Sequence, residues 1–278
     1  MKNVLKLNKF LFLLTFSFFI ISCDNDDDDT QTMPEELTIV ETAAATPELS
    51  ILVEALTVAD GDLVTTLSGG NFTVLAPTND AFATFLSANG FASLDEVPTD
   101  VLSNILLNHV ITGSVMSTDL ASAGSGYTTT NATNMDGDNL SLYFSTSSGV
   151  EFNGQSSVVS ADVSASNGIV HVVDAVIGLP TVVTFATSNP TFETLVAALT
   201  REDLNQDFVS ILSTTEEPSP FTVFAPTNDA FASLLSELGV DSLGDIDAAT
   251  LELTLGTHVV VEANVRSGDL TNGMNITT

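Results

Sequence analysis

Apolar residues recur along this chain with two different periods. Leu49, Leu52, Val53 and Leu56 return at three- and four-residue intervals, the spacing of one face of an α-helix, behind Thr46 as N-cap and Pro47 at the first helical position. Asn189, Pro190, Phe192, Leu195, Val196 and Leu199 repeat that design. Phe82, Phe85 and Leu86 make a second helical face, capped by Thr78 or Asn79 and stopped at Gly90. Leu102, Ile105, Leu106 and His109 make a third. From Ser141 onward the period shortens to that of strands, with runs of Val, Ile, Ser and Thr parted by Asn153-Gly154 and Asn167-Gly168, dipeptides that favour hairpin turns. The run from Gly168 to Pro180, GIVHVVDAVIGLP, is apolar on both faces, as a strand covered on both sides is. Together these patterns predict an α+β module, with helices of its first half packed on sheets built largely by its second half.

The module occurs twice. FTVLAPTNDAFA from Phe72 returns as FTVFAPTNDAFA from Phe221, an offset of 221 − 72 = 149 that also carries His109 onto His258. TIVETAAATPELSILVEAL from Thr38 matches TVVTFATSNPTFETLVAAL from Thr181 at an offset of 181 − 38 = 143. The difference, 149 − 143 = 6 residues, falls between Leu199 and Phe221, where TTEEPSP reads as a longer loop. One copy therefore spans 38–180 and a second spans 181–278, the latter expected to be incomplete because residues 130 to 180 have no counterpart in it.

Three segments carry a family resemblance: FTVLAPTNDAFATFL from Phe72, LLNHVITGSV from Leu106 and NGIVHVVDAVIGLP from Asn167. In order and spacing they resemble the signature segments of the fasciclin domain family, across the whole first copy and through the first two signatures of the second. The resemblance implies tandem wedges of β-sheets with helices packed on one side, and a role in cell adhesion or in contact with matrix and surfaces. It also marks Thr78, Asn79, His109, His171 and Asp174, with Thr227, Asn228 and His258 in the second copy, as signature polar positions expected to be structural. Eukaryotic adhesion members often place Tyr before the middle histidine. This chain has Asn108-His109 and Thr257-His258 instead, so no receptor-binding role is carried over to that dipeptide.

The N-terminus sets the compartment. Lys2, Lys6 and Lys9 precede an apolar run from Phe10 to Ile21, shorter than the about 20 residues a membrane span needs. Residues 1–22 thus read as a secretory leader, and Ile20, Ile21, Ser22 and Cys23 resemble a bacterial lipobox, with Cys23 as the lipid attachment site. An acidic tether follows over 23–37, opening with Asp24 and Asp26 to Asp29; it lacks the glycine turn and distal glutamate of a calcium loop. The expected location is the outer membrane or cell surface of a Gram-negative bacterium, with the lipid as the only membrane contact.

Charge and composition narrow the function. The chain has 36 acidic and 5 basic residues, and three of the basics lie in the leader, so the remainder carries 2 − 36 = −34. Counterion release from phosphate backbones needs clustered Lys and Arg, which excludes nucleic acid. There is no Trp, and Tyr127 and Tyr143 are the only tyrosines, so aromatic platforms for sugars are scarce. No Gly-x-Ser-x-Gly elbow, CxxC, HExxH or phosphate loop occurs, and no cofactor or metal is implied. His109 sits at the end of a helical face where an imidazole satisfies free carbonyls, while His171 and Asp174 fall on opposite faces of one strand and form no dyad. With Thr78 and Asn79 they are expected to pin the sheets to a helix start. DGDN from Asp136 reads as a polar turn. The expected function is non-enzymatic: an adhesion or interaction lipoprotein binding an extracellular protein or matrix component, the alternative being capture of an extracellular polysaccharide.

Overall fold

Thr38 opens the first helix because it satisfies both ends of a capping box. Its hydroxyl accepts from the Glu41 N–H (3.3 Å), and its own N–H donates to the Glu41 carboxylate (2.8 Å). The N–H and then the hydroxyl of Thr38 hold the Glu41 carboxyl below its ordinary pKa. This helix, α1 (Ile39–Ala45), escapes the periodicity because it buries only Ile39 and Ala43. The structure, a computed structural model, describes residues 36–278; the leader, Cys23 and the tether up to residue 35 lie outside the described residues. The predicted helix start at Pro47 is a single 3₁₀ turn, Pro47–Leu49. There the Thr46 hydroxyl donates back to the Thr42 carbonyl (2.8 Å) and caps nothing ahead of it, so α2 proper is Ser50–Val58.

Next come α3 (Leu63–Gly69), β1 (Phe72–Pro77), α4 (Asn79–Ala88), α5 (Thr99–Leu107), β2 (Val110–Thr112) and α6 (Ser117–Ala123). The strands β3 (Ser125–Thr133), β4 (Asn139–Ser145), β5 (Glu151–Phe152), β6 (Ser156–Ala165) and β7 (Gly168–Val173) complete the first copy. Strands therefore begin well before Ser141: β1 and β2 come from the helical half. The sheet order is β2-β1-β7-β6-β5-β4-β3. β1 and β7 run parallel, from Phe72 beside Gly168 to Pro77 beside Val173, and the other pairs are antiparallel. Thr112 Oγ1 donates to Asn131 Oδ1 (2.9 Å), which brings β2 at one end of the order beside β3 at the other.

β7 is buried along its whole length because a separate apolar layer covers each face. Val170 and Val172 join Val74 and Ala76 of β1 against Ile39, Leu52, Leu56, Phe82, Leu102 and Leu106 of the helices. Val173 and Leu75 point the other way, into a body with Ile111, Leu120, Leu142, Phe144, Phe152 and Ile177. Each such side chain removed from water contributes about 1.5–3 kcal/mol. The predicted turn at Asn153-Gly154 links β5 to β6, both residues at positive φ (50° and 60°). The other turn is displaced by one residue. Ser166-Asn167 make it, and Gly168 is the first residue of β7, where a Cβ would stand 1.9 Å from the Phe72 carbonyl oxygen.

The second copy supplies α7 (Val182–Ser188), α8 (Glu193–Leu199), α9 (Phe208–Ser213), β8 (Thr222–Val223), α10 (Asn228–Leu238), α11 (Ala248–Gly256) and β9 (Val259–Val260). Leu195, Ala198, Phe208, Phe231, Ile246, Leu251 and Leu255 form its own core. Among the described residues no helix is long and apolar enough to cross a membrane.

Candidate functional site

The signature polar residues do not converge on one place. Thr78 and Asn79 lie at the start of α4, as expected. The Thr78 hydroxyl accepts from the Ala81 N–H (3.2 Å), and its N–H donates to the Val173 carbonyl (3.1 Å), tying the helix start to β7. Asn79 reaches to the head of α2, where Oδ1 accepts from Ile51 N–H (3.0 Å) and Nδ2 donates to the Pro47 carbonyl (3.1 Å). The second copy repeats the cap and both asparagine bonds, but not the Thr78 N–H bond to β7. Thr227 accepts from Ala230 N–H (3.3 Å), while Asn228 accepts from Thr194 N–H (2.9 Å) and donates to the Pro190 carbonyl (2.9 Å).

His109 lies just past α5 and is fully buried. Its Nδ1 faces the Ile105 carbonyl (2.8 Å) and so carries the proton, which leaves Nε2 to accept from the Ile177 N–H (2.9 Å). Burial pushes its pKa down to about 4, against the opposing bond to Ile105. Its neighbour Asn108, also buried, donates from Nδ2 to the carbonyls of Ile177 (3.3 Å) and Gly178 (3.0 Å) and accepts from Thr130 Oγ1 (3.1 Å). Asn108 and His109 thus grip the segment that leaves β7. His258 repeats only the helical half of this, donating from Nδ1 to the Thr254 carbonyl (2.9 Å), with Thr257 in the place of Asn108.

His171 and Asp174 bond to nothing at the start of α4, so the expectation that they pin the sheets to that helix start together with Thr78 and Asn79 is corrected for these two. His171 is buried in β7; Nε2 donates to the Val115 carbonyl (2.9 Å) and Nδ1 accepts from the Asp162 N–H (3.1 Å). Asp162 stands at φ 59° in the irregular part of β6, where the β6–β7 register shifts between Ser160 and Val163. Its carboxylate takes the Ser117 hydroxyl and the Ser117 N–H (2.7 Å); those bonds, with a smaller contribution from His171, hold the Asp162 carboxyl below its ordinary pKa. Asp174 is engaged elsewhere, accepting from the Ser157 N–H (2.7 Å).

Ser117, Asp162 and His171 include the residue types of a hydrolase triad without its geometry. Both imidazole nitrogens bond to backbone, so neither can take a proton from a hydroxyl. The sequence reading missed Asn108, Thr130 and Asp162, whose partners are remote in the chain. At the β3–β4 turn, Asn134 Oδ1 accepts from the N–H groups of Asp136 (3.0 Å) and Asp138 (2.9 Å), which makes DGDN a polar turn. Among the described residues no three His, Cys, Asp or Glu side chains are grouped to hold a metal ion. Cys23 lies outside the described residues.

Fold and site together define a small α+β module, present in tandem, whose buried polar residues hydrogen-bond within it. The chain belongs to the fasciclin domain family. The family profile, described as Fasciclin domain, matches residues 47–180 and 190–278. Protein sll1483 of a Synechocystis strain is 39% identical over 142 residues, 51% of this chain and 73% of that protein. The transforming growth factor-beta-induced protein ig-h3 of Sus scrofa is 31% identical over 196 residues, 70% of this chain but 26% of that protein. The cell surface glycolipoprotein MPB83 of Mycobacterium bovis is 46% identical over 80 residues, 27% of this chain and 34% of that protein. Among solved structures, a FAS1 domain pair from the insect cell adhesion molecule fasciclin I aligns with a TM-score of 0.46 at 18% identity, covering 80% of this chain and 76% of that one.

Proposed function

We propose that this chain is a non-enzymatic adhesion or interaction protein, displayed at a bacterial cell surface on a lipid attached to Cys23, that binds an extracellular protein or matrix component. The observation that carries the reading is a fasciclin module repeated in one chain, with both buried histidines of its first copy bonded to backbone through both ring nitrogens. A relative whose name describes a cell surface glycolipoprotein agrees with the lipobox reading of Cys23. The test is binding of the purified protein to whole cells, matrix proteins and surface polysaccharides side by side. Saturable binding to cells or matrix protein supports the reading, selective binding to polysaccharide alone replaces it with polymer capture, and no binding to any surface refutes both. For the anchor, Cys23→Ser is expected to move the protein from the membrane fraction to the soluble exported fraction.

A further inference from the structure

The two copies carry charge of the same sign. Residues 38–180 hold 15 acidic and no basic side chains; residues 181–278 hold 14 acidic residues with Arg201 and Arg266, a balance of 2 − 14 = −12. Two such bodies repel at neutral pH. The structure nonetheless joins them at three places. At the β5–β6 turn, a Cβ on Gly154 would lie 3.2 Å from the Ser188 Cβ of α7. Nearby, the Tyr127 ring meets Phe185 edge-on with centroids 5.7 Å apart, and its hydroxyl accepts from Asn189 Nδ2 (3.1 Å). Both contacts involve residues that directly follow the junction at 180–181, so chain connectivity favours them.

The third contact has no such help. Asn264 and Arg266, beyond β9, reach the tip of the β3–β4 hairpin, 128 residues away in sequence. Asn264 Nδ2 donates to the Asp136 carboxylate (3.1 Å); Arg266 Nη2 bonds to the Asp138 carboxylate and lies 3.9 Å from that of Asp136. Asn134 leaves both carboxylates free by taking the backbone N–H groups of the turn. Arg201, the other arginine, stays within its own copy, donating to the carbonyls of Leu243 (2.7 Å) and Ile246 (2.9 Å). Arg266 is therefore the one arginine among the described residues that bridges the copies.

We propose that Arg266 is a clasp that docks the second copy on the acidic β3–β4 hairpin of the first and holds two like-charged modules as one rigid pair. Without it, two carboxylates would face a body of net negative charge with no cation between them. The pair then presents its surfaces in one fixed relation, whatever either surface binds. The test uses the full chain with Cys23→Ser and spin labels at Val159 and Leu253, exposed positions on the first and second copy. One narrow distance distribution is expected in the parent. Arg266→Glu should lose that narrow population and spread to longer distances, Arg266→Gln should fall between, and Arg266→Glu combined with Asp136→Lys and Asp138→Lys should restore it. Circular dichroism confirms that each variant stays folded. A parent distribution that is already broad, an Arg266→Glu distribution matching the parent, or a charge swap that restores nothing overturns the proposal.

Discussion

Phe72 to Pro77 of the first copy and Phe221 to Pro226 of the second differ at one residue, Leu75 against Phe224, yet they form different lengths of strand. The first is a six-residue strand between β2 and β7; in the second only Thr222–Val223 are strand, beside β9 alone. Where they pair, the register is the same, since Thr73 faces Ile111 as Thr222 faces Val260 at an offset of 149. Leu75 is fully buried whereas Phe224 is 40% exposed. Nearly identical sequences thus reproduce caps, helices and a register, while strand length and burial follow from the neighbour that each segment finds. Strand propensity is largely a statement about cross-strand and same-face packing, and here the difference is β7. In the second copy, an apolar hollow lined by Val182, Phe185, Phe192, Leu195, Leu199 and Val223 matches the wall that Val170 and Val172 fill in the first.

The largest expected effect breaks β7 at its first residue. Gly168→Ala would put a methyl group 1.9 Å from the Phe72 carbonyl, at a φ of 149° that side chains rarely adopt, and backbone cannot yield there without giving up the β1–β7 pairing. A loss above about 4 kcal/mol is expected, the range reserved for severe core or backbone damage. Hydrogen exchange on the whole chain should show β1 losing its protection down to the level of β8. If β1 keeps its protection, β7 is not what separates the copies.

The next effect compares matched residues. Phe82 and Phe231 occupy the same helix position, but Phe82 sits under a complete sheet and Phe231 borders an open hollow with Leu234 and His258. Phe82→Ala should cost about 3–5 kcal/mol, and Phe231→Ala, also buried but beside a hollow that already lacks packing atoms, clearly less. Exchange rates of α4 and α10 in each variant measure both. Equal losses would mean that the second copy is packed as tightly as the first.

How legible the molecule was in its sequence follows the same division. The cap at Thr78 or Asn79 and the helix it starts were readable because they depend on residues within a few positions, and the duplication because two long segments match almost residue for residue. Helix α1 was not, since two buried residues make too little of a stripe. β1 and β2 are short apolar runs that periodicity cannot tell from helix. The partners of the polar residues were hidden by distance: Asn108 bonds to residues 69 and 70 positions away, and His171 pairs with Asp162 only because the irregular β6 register brings that residue opposite.

Acid should weaken the first copy through His109. Its folded pKa of about 4 lies below the unfolded value of about 6.5, so as pH falls the unfolded chain takes up the proton first. The stabilisation is full above about pH 6.5 and is lost between there and pH 4, by roughly 3 kcal/mol at most. The Asp162 carboxyl, held below its ordinary value, acts at lower pH still and does not blur this window. Urea midpoints at pH 7.5 and 4.5 should therefore diverge in the parent and converge in His109→Asn, which is less stable at pH 7.5 because Ile177 loses its matched acceptor. An undiminished slope in the variant would place the acid sensitivity elsewhere.

The smallest effect tests whether the caps are as independent of β7 as their repetition implies. Asn79 and Asn228 each join the head of one helix to the start of another by one accepted and one donated backbone bond, at distances that agree to within 0.2 Å (3.0 and 3.1 Å against 2.9 and 2.9 Å). Replacing either by Ala removes both bonds, and in the first copy also that of Asn79 Nδ2 to Ser50 Oγ (3.1 Å), and frees one N–H and one carbonyl at a half-buried edge, where water takes over part of the lost hydrogen bonding. The expected cost is therefore modest, about 1–2 kcal/mol, and similar in both copies, unlike that of the paired Phe82 and Phe231 replacements. Local exchange at Ile51 and Thr194, the two N–H groups released, reads the effect directly. A cost several times larger in the first copy would show that β7 reaches the helix starts as well, through the Thr78 N–H on the Val173 carbonyl. Local and long-range contributions would then no longer separate at this residue.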